Sequence, residues 1–411
     1  MNIFKKCYCR TYQEIMWIAT LAMNFRIPKT LEGEGVLSKM PDFIRENEPN
    51  VKRLLVVTDK GLMKAGLLEP MFKSFTEAGL EYTLYDGTVP NPTVDNIKEA
   101  VKLYKENNCQ ALVAFGGGSS MDCAKGIGAM VACPKKTMAQ MRGVIKVNKK
   151  IPPFFAIPTT AGTGSETTVA AVISDGNYKY TVMDPVLVPL YAVLDPLVTV
   201  GLPKHVTSTT GMDALSHAVE AYTNKHNNNL TRTKALSAVK LIFENLQKAY
   251  DNGSDIEVRN NMQVAAYEAG IAFTRSNVGA IHAISHAFGG QYHLPHGLAI
   301  AITMPHVLRW YGKAAHKRLA ELADVVGISG ASNAEKAEKF ISAIEQMNAY
   351  MQIPATISGN VKMKDETVIV KEEDIATMVN NAYKEAVPLY PLPALMDKAD
   401  FEKLFREIAG I

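Results

Sequence analysis

Between residues 280 and 297 the chain reads AIHAISHAFGGQYHLPHG, a stretch holding four of its nine histidines: His282, His286, His293 and His296. Imidazole is a borderline nitrogen donor that titrates near neutrality, so such a cluster can hold a metal or move protons. His282 and His286 are four apart on a helical pattern and leave the same face one turn apart. The pair Gly289-Gly290 is expected to end that helix, with His296 on a turn after Pro295. Upstream, TSTTGMDALSHAVEAY (207–222) gives Asp213 and His217 the same spacing. One carboxylate with three imidazoles suits Fe(II) or Zn(II) and suits Ca(II) or Mg(II) poorly. Taken alone, Asp-x-x-x-His is more often a hydrogen-bonded helix pair than a site. The spacing also leaves open which histidines bind.

A second chemistry is written in glycines. VAFGGGSSMDCAKGIGAM runs from a strand through Gly116, Gly117 and Gly118 into a helix beginning near Ser119, an arrangement that can offer backbone amides and a helix N-terminus to a pyrophosphate. It is not G-x-G-x-x-G, and a strand, glycine turn and helix also occurs without phosphate. Asp59 ends the run RLLVVTD (53–59), where a carboxylate can accept from a ribose diol and would repel a 2′-phosphate, which favours NAD over NADP. The same Asp59 serves equally as an N-cap for KGLMKAG. In IPTTAGTGSETT (157–168), Thr159, Thr160 and Ser165 hydroxyls can line a cofactor or simply build a turn.

The elements that must position these groups follow from periodicity. Short β-branched runs at 53–59, 81–86 and 110–118 alternate with helical patterns at 93–107 and 119–131, which predicts an α/β domain with a parallel, Rossmann-like sheet, and further strands are expected at 154–158, 168–175, 179–184 and 191–195. After Pro203 apolar residues recur at three and four, as in 237–250, 257–273 and 333–351, which predicts an all-α domain. The expected organisation is an N-terminal extension (1–22), an α/β dinucleotide-binding domain (23–203) and an α-helical metal-binding and substrate domain (204–411).

Composition narrows the field. With 411 residues, 47% hydrophobic, 21% charged and net charge +3, the chain reads as a globular protein of two or three domains. No basic run with interleaved aromatics suggests nucleic acid, and KVNKK (146–150) reads as a solvated loop. The apolar run 15–23 is too short to span a bilayer, and Gln13 and Glu14 interrupt the approach to it, so an extension ahead of a start near Met23 is favoured over a secretory signal. Five cysteines without C-x-x-C spacing fit a reducing cytoplasm.

VVTDKG, VPNPTV, GGGSSMDCAK, PTTAGTGSE, TTGMDALSHAVEAY and HAISHAFGG…LPHG, in this order and spacing, resemble the iron-containing (group III) NAD-dependent alcohol dehydrogenases. The resemblance runs from about Asn24 to the C-terminus. It implies metal ligation by Asp213, His217, His282 and His296. His286 matches a position facing substrate and nicotinamide, whereas His293 matches no ligand. It further implies cofactor contacts from Asp59, Asn91, Gly117, Gly118, Ser119, Thr159, Thr160 and Lys179. The cofactors implied are NAD(H) and Fe(2+), with Zn(2+) able to replace it. The partner it implies is a small alcohol, aldehyde or diol, with no nucleic acid or membrane expected, and the assembly it implies is a homodimer or larger homo-oligomer.

Under this resemblance a Lewis-acidic metal polarises the substrate oxygen, hydride passes to or from the nicotinamide, and His286 relays the proton. One departure is Arg275, in AFTRSNVGAIHA, where diol and lactaldehyde members carry a small or amide side chain nearby. It suits an anionic substrate group less well than a salt bridge to a neighbouring helix. Two rival readings remain at this stage. A dehydroquinate-synthase-like lyase uses Glu in place of Asp213, and a non-enzymatic nucleotide-binding or assembly protein would not need a full ligand set.

Overall fold

The computed structural model describes residues 1–411 apart from 24, 177, 364 and 365. The chain divides into two compact units, one of residues 24–202 and 253–270, the other of 1–23, 203–252 and 271–411. The expected ranges were contiguous; the observed units are not. Residues 1–23 group with the helical unit, and 253–270 group with the α/β unit. Within the α/β unit the latter segment is held by Gln263, whose amide donates to Pro158 O at 3.0 Å, and by Tyr267, whose hydroxyl donates to Pro28 O at 2.7 Å. Helical periodicity specifies a helix, not the neighbours it keeps.

The α/β unit contains β1 (Lys29–Glu32), β2 (Arg53–Val57), β3 (Glu81–Tyr85), β4 (Ala111–Gly116), β5 (Gly143–Val144), β6 (Phe154–Pro158), β7 (Ala170–Asp175), β8 (Tyr178–Met183) and β9 (Tyr191–Leu194). Six of them form one sheet in the order β1-β9-β6-β4-β2-β3, every pair parallel. Successive side chains point to opposite faces. Leu55, Val57, Leu112, Ala114, Phe154 and Ala156 belong to one apolar cluster, whereas Leu54, Val56, Val113, Phe115, Phe155 and Ile157 belong to another. Burial on both faces explains why these strands read as continuous apolar runs. From β2 the chain steps outward to β3, then returns past β2 to β4 and continues to β6 and β9. The order therefore reverses between β2 and β4, and ligands of such sheets bind at the carboxyl ends beside that reversal.

The runs at 168–175 and 179–184 do not extend this sheet. They form β7 and β8, an antiparallel hairpin that joins β5 in a separate three-stranded sheet. A parallel crossover needs about a dozen residues, and only two residues separate β7 from β8.

In the helical unit the helix Lys204–Thr223 is buried at every position from Gly211 to Thr223. A helix buried all round is a core helix, and it packs against the helices Asn229–Asp251 and His296–Tyr311. Helix Ala280–Tyr292 packs against His296–Tyr311 and Glu372–Ala386. The pair Gly289-Gly290 lies inside Ala280–Tyr292 instead of ending it, and the stop is His293 in the left-handed conformation, φ 55°. Interior glycine costs about 1 kcal/mol against alanine but does not block a helix. His296 is the first helical residue after Pro295, not a turn residue.

Candidate active site

Helix Lys204–Thr223 carries Asp213, His217 and Glu220 at successive turns of one face, all buried. Helix Ala280–Tyr292 brings His282 and His286, and the start of His296–Tyr311 brings His296. This last helix approaches closely because of Gly297: a Cβ there would lie 2.3 Å from Thr209 O. Around Asp213 Oδ1 three imidazole nitrogens converge, His296 Nε2 at 3.3 Å, His282 Nε2 at 3.7 Å and His217 Nε2 at 3.9 Å. The shortest of these matches the roughly 3.4 Å edge of a tetrahedral ion with bonds of about 2.1 Å, and the other two are longer. The tightest group is Asp213, His217 and His282, with one ligand atom from each all within 4.8 Å of one another; His296 borders it.

A metal fits this donor set. Asp213 Oδ1 and His282 Nε2, two of the converging atoms, are buried without a hydrogen-bond partner, and buried polar atoms are otherwise almost always paired. Burial pulls His217 down to about 3 and His282 well below the usual histidine range, so both rings are neutral. Burial alone would raise the Asp213 carboxyl, but the neighbouring His217 and His296 hold it well below the usual carboxylate range. Neutral imidazoles and an ionised carboxylate are the ligating forms.

Two carboxylates escaped the sequence reading. Glu220 Oε2 lies 2.6 Å from His282 Nδ1, while its Oε1 accepts from Ile281 N at 2.8 Å. The spacing 213, 217, 220 could have revealed it, since these positions share one helix face. Glu385 Oε1 lies 2.7 Å from His286 Nδ1 and accepts from the Tyr390 hydroxyl at 2.9 Å. Desolvation by its neighbours opposes the charge on His286, whose side chain stays 45% exposed, but the Glu385 carboxylate outweighs it and raises the imidazole above its ordinary value. His286 stacks on His296 with ring centroids 5.1 Å apart. Arg275 is buried and donates from Nη1 to Ile271 O of its own helix at 2.9 Å.

In the α/β unit the carboxyl ends of β2, β4 and β6 carry Asp59, the turn of Gly117, Gly118 and Ser119, and the pair Thr159 and Thr160, whereas Asn91 follows β3 and Lys179 lies on β8. Asp59 Oδ1 accepts from Gly61 N and Leu62 N, so the N-cap reading of this residue holds. Gly116 has φ 152°, and a Cβ there would meet Ser120 Oγ at 2.3 Å. Gly117 then caps the helix Gly118–Ala132. Asn91, left-handed at φ 57°, donates its N–H to Ser119 Oγ at 3.3 Å, which joins those two segments. Thr159 is buried and donates from its backbone to Gly116 O at 3.1 Å; Thr160 follows it, half-buried. Lys179 is exposed on β8 opposite Ser174, which bridges to Thr93 beyond Asn91.

Ser165 does not line an open surface. It is buried, and its hydroxyl accepts from Lys125 Nζ at 2.9 Å and donates to Asp122 Oδ1 at 3.1 Å. Lys125, wholly buried, also donates to Ser165 O, Thr168 Oγ1 and Ala170 O at 2.6–2.8 Å. This ammonium ties the loop 159–170 to the glycine-led helix. Burial lowers it to about 8 and raises its neighbour Glu166 to about 7.

A doubly wound sheet with a glycine-led helix, and a helical unit with a buried carboxylate–imidazole group, fit the class of nucleotide- and metal-using enzymes. Residues 28–196 match the family model "Iron-containing alcohol dehydrogenase", and 207–409 match "Fe-containing alcohol dehydrogenase family, C-terminal". The chain belongs to the iron-containing alcohol dehydrogenase family. It is 42% identical over 367 residues to an NAD-dependent methanol dehydrogenase of Bacillus methanolicus, covering 88% of this chain and 93% of that one. Its fold is similar to a solved alcohol dehydrogenase from Oenococcus oeni, with TM-score 0.87 and 34% identity over 94% of this chain and 99% of that one. A sulfoacetaldehyde reductase from Bifidobacterium kashiwanohense, solved with NAD+, gives TM-score 0.82 at 26% identity over 93% and 97%. Family membership favours the dehydrogenase over the lyase and assembly readings.

Proposed function

We propose that the protein is an iron-dependent alcohol dehydrogenase that interconverts a small primary alcohol or diol and its aldehyde with NAD(H). The observation carrying this reading is the buried trio Asp213, His217 and His282, with the unpartnered Asp213 Oδ1 and His282 Nε2. Asp213, His217, His282 and His296 would hold Fe(2+), and Zn(2+) suits the same donors. When bound, the ion supplies Lewis acidity to a substrate oxygen, and the nicotinamide supplies or accepts the hydride.

The chain's own residues do the rest. Glu220 accepts the Nδ1 proton of His282 and so keeps Nε2 as the lone-pair nitrogen. Glu385, oriented by the Tyr390 hydroxyl, does the same for His286, whose Nε2 is then the atom that exchanges a proton with the substrate hydroxyl. Asp59 accepts from the ribose diol while capping its helix, which disfavours a 2′-phosphate. Gly117, Gly118 and Ser119 present the helix N-terminus to the pyrophosphate. Asn91, Thr159, Thr160 and Lys179 complete the nucleotide contacts.

The α/β unit is thereby the dinucleotide-binding part and the helical unit the metal-binding part. We further assign the protein to the cytoplasm, where its five free cysteines stay reduced, and to a homodimer or larger homo-oligomer. No helix among the described residues is long and apolar enough to cross a membrane.

The test is initial-rate NADH oxidation by protein loaded separately with iron and zinc, across propanal, butanal, lactaldehyde, glycolaldehyde and 3-hydroxypropanal, with NADPH alongside. The expected result is turnover with NADH and little with NADPH. Equal rates with both cofactors would remove Asp59 from its role.

A further inference from the structure

Helix Ile3–Ala22 is fastened to the helical unit by one face only. The buried Gln13 amide donates to Pro388 O and Tyr390 O at 2.8 and 2.7 Å, and Arg10 Nη1 donates to Leu392 O at 2.9 Å. Trp17 stacks on His226 with centroids 5.5 Å apart, and His226 Nε2 lies 3.0 Å from Glu14 Oε1. The opposite face is apolar and open: Ile3, Phe4, Tyr8, Ile15, Ile18 and Leu21 leave 55–82% of their surface exposed. A surface helix ordinarily turns its apolar stripe toward the core. This helix turns one outward.

The stripe has a defined period. Phe4, Tyr8, Thr11, Ile15, Ile18 and Ala22 recur at intervals of four, three, four, three and four, the seam of a two-helix coiled coil. Set against itself antiparallel, the seam forms layers of Phe4 with Ala22, Tyr8 with Ile18 and Thr11 with Ile15, so the bulky Phe4 meets the smallest side chain. Set parallel, Phe4 would meet Phe4 and Ala22 would meet Ala22, leaving one end crowded and the other hollow. The exposed apolar side chains of the seam, with Ile3 and Leu21 flanking it, present on the order of 700 Å², close to the roughly 800 Å² each partner contributes to a standard interface. A seam of this kind is also self-complementary about a two-fold axis.

We propose that the outward face of helix Ile3–Ala22 docks on the same helix of a second copy of this chain, antiparallel about a two-fold axis. This interface stands independently of the enzymatic reading.

The test uses the full chain. Light scattering compares the unaltered protein with the double variant Ile15→Glu/Ile18→Glu. Oxidative cross-linking in a Cys7→Ser background compares Thr11→Cys/Ile15→Cys with Phe4→Cys alone. We expect the glutamate variant to have half the particle mass with its aldehyde-reducing turnover kept, and the cysteine pair to link two copies. Phe4→Cys should not link, because antiparallel pairing separates the two positions by about 27 Å along the helix. Unchanged mass together with no link from the cysteine pair would overturn the proposal, as would a Phe4→Cys link. So would glutamate-sensitive binding to phosphatidylcholine–phosphatidylserine vesicles with the particle mass unaffected.

Discussion

Glu220 Oε2 stands 2.6 Å from His282 Nδ1, and the other nitrogen of that ring, Nε2, lies 3.7 Å from Asp213 Oδ1. The carboxylate therefore determines which nitrogen of His282 faces the ligand group. Replacing such a partner costs about 10–100-fold in metal affinity. Glu220→Gln is expected to weaken Fe(2+) or Zn(2+) binding by that factor in titration calorimetry while the fold is kept. Undiminished affinity would mean that Glu220 only packs.

Gly297 sets the approach of His296. A Cβ at this position would sit 2.3 Å from Thr209 O, so Gly297→Ala must push helix His296–Tyr311 away from Lys204–Thr223. Overpacking of this kind costs about 1–3 kcal/mol. The expected outcome is lower thermal stability and weaker metal binding together, the second checked by metal content after dialysis.

Lys125 positions the loop that follows β6. Lys125→Met keeps the length of the side chain and removes the ammonium shared by Ser165, Thr168 and Ala170. Because the loop carries Thr159 and Thr160, the variant is expected to raise KM for NADH by roughly tenfold, about 1.4 kcal/mol, with little change in kcat. A fall in kcat at unchanged KM would place its effect elsewhere.

Histidine burial makes the metal-free protein sensitive to acid. His217 titrates near 3 when folded, because burial disfavours its charge, whereas an unfolded histidine titrates near about 6.5. As pH falls below about 6.5 the unfolded chain takes up a proton that the folded site refuses until about pH 3, so stability declines across that window. His217→Phe removes this one proton. Its unfolding free energy in chelator should fall less steeply by about 1.4 kcal/mol per pH unit between about pH 6 and 4. Parallel curves for the two proteins would contradict the assignment.

What the sequence revealed, and what it hid, follows from the range of each interaction. The central strands β2, β4 and β6 were legible because burial on both faces demands continuous apolar runs. β1, Lys29–Glu32, was not, since its sequence KTLE is partly exposed and has no such run. The histidine spacings survived translation into structure, because i and i+4 on a helix is local geometry. Glu385 carried no local signal: it lies 99 residues from the His286 it orients. The strands β7 and β8 were legible but their pairing as a separate hairpin was not, because strand propensity says nothing about partners. The Gly289-Gly290 pair misled because glycine permits a stop without imposing one.

The central claim is that Asp213 and the histidines around it hold the metal on which turnover depends, whereas His286 serves the proton. It is tested most directly by measuring iron content and NADH-dependent aldehyde reduction in parallel for His282→Ala and His286→Ala. His282→Ala is expected to lose metal and activity together, and His286→Ala to keep its metal while turnover falls by about 10²–10⁴-fold. Metal-dependent turnover persisting in His282→Ala would contradict it.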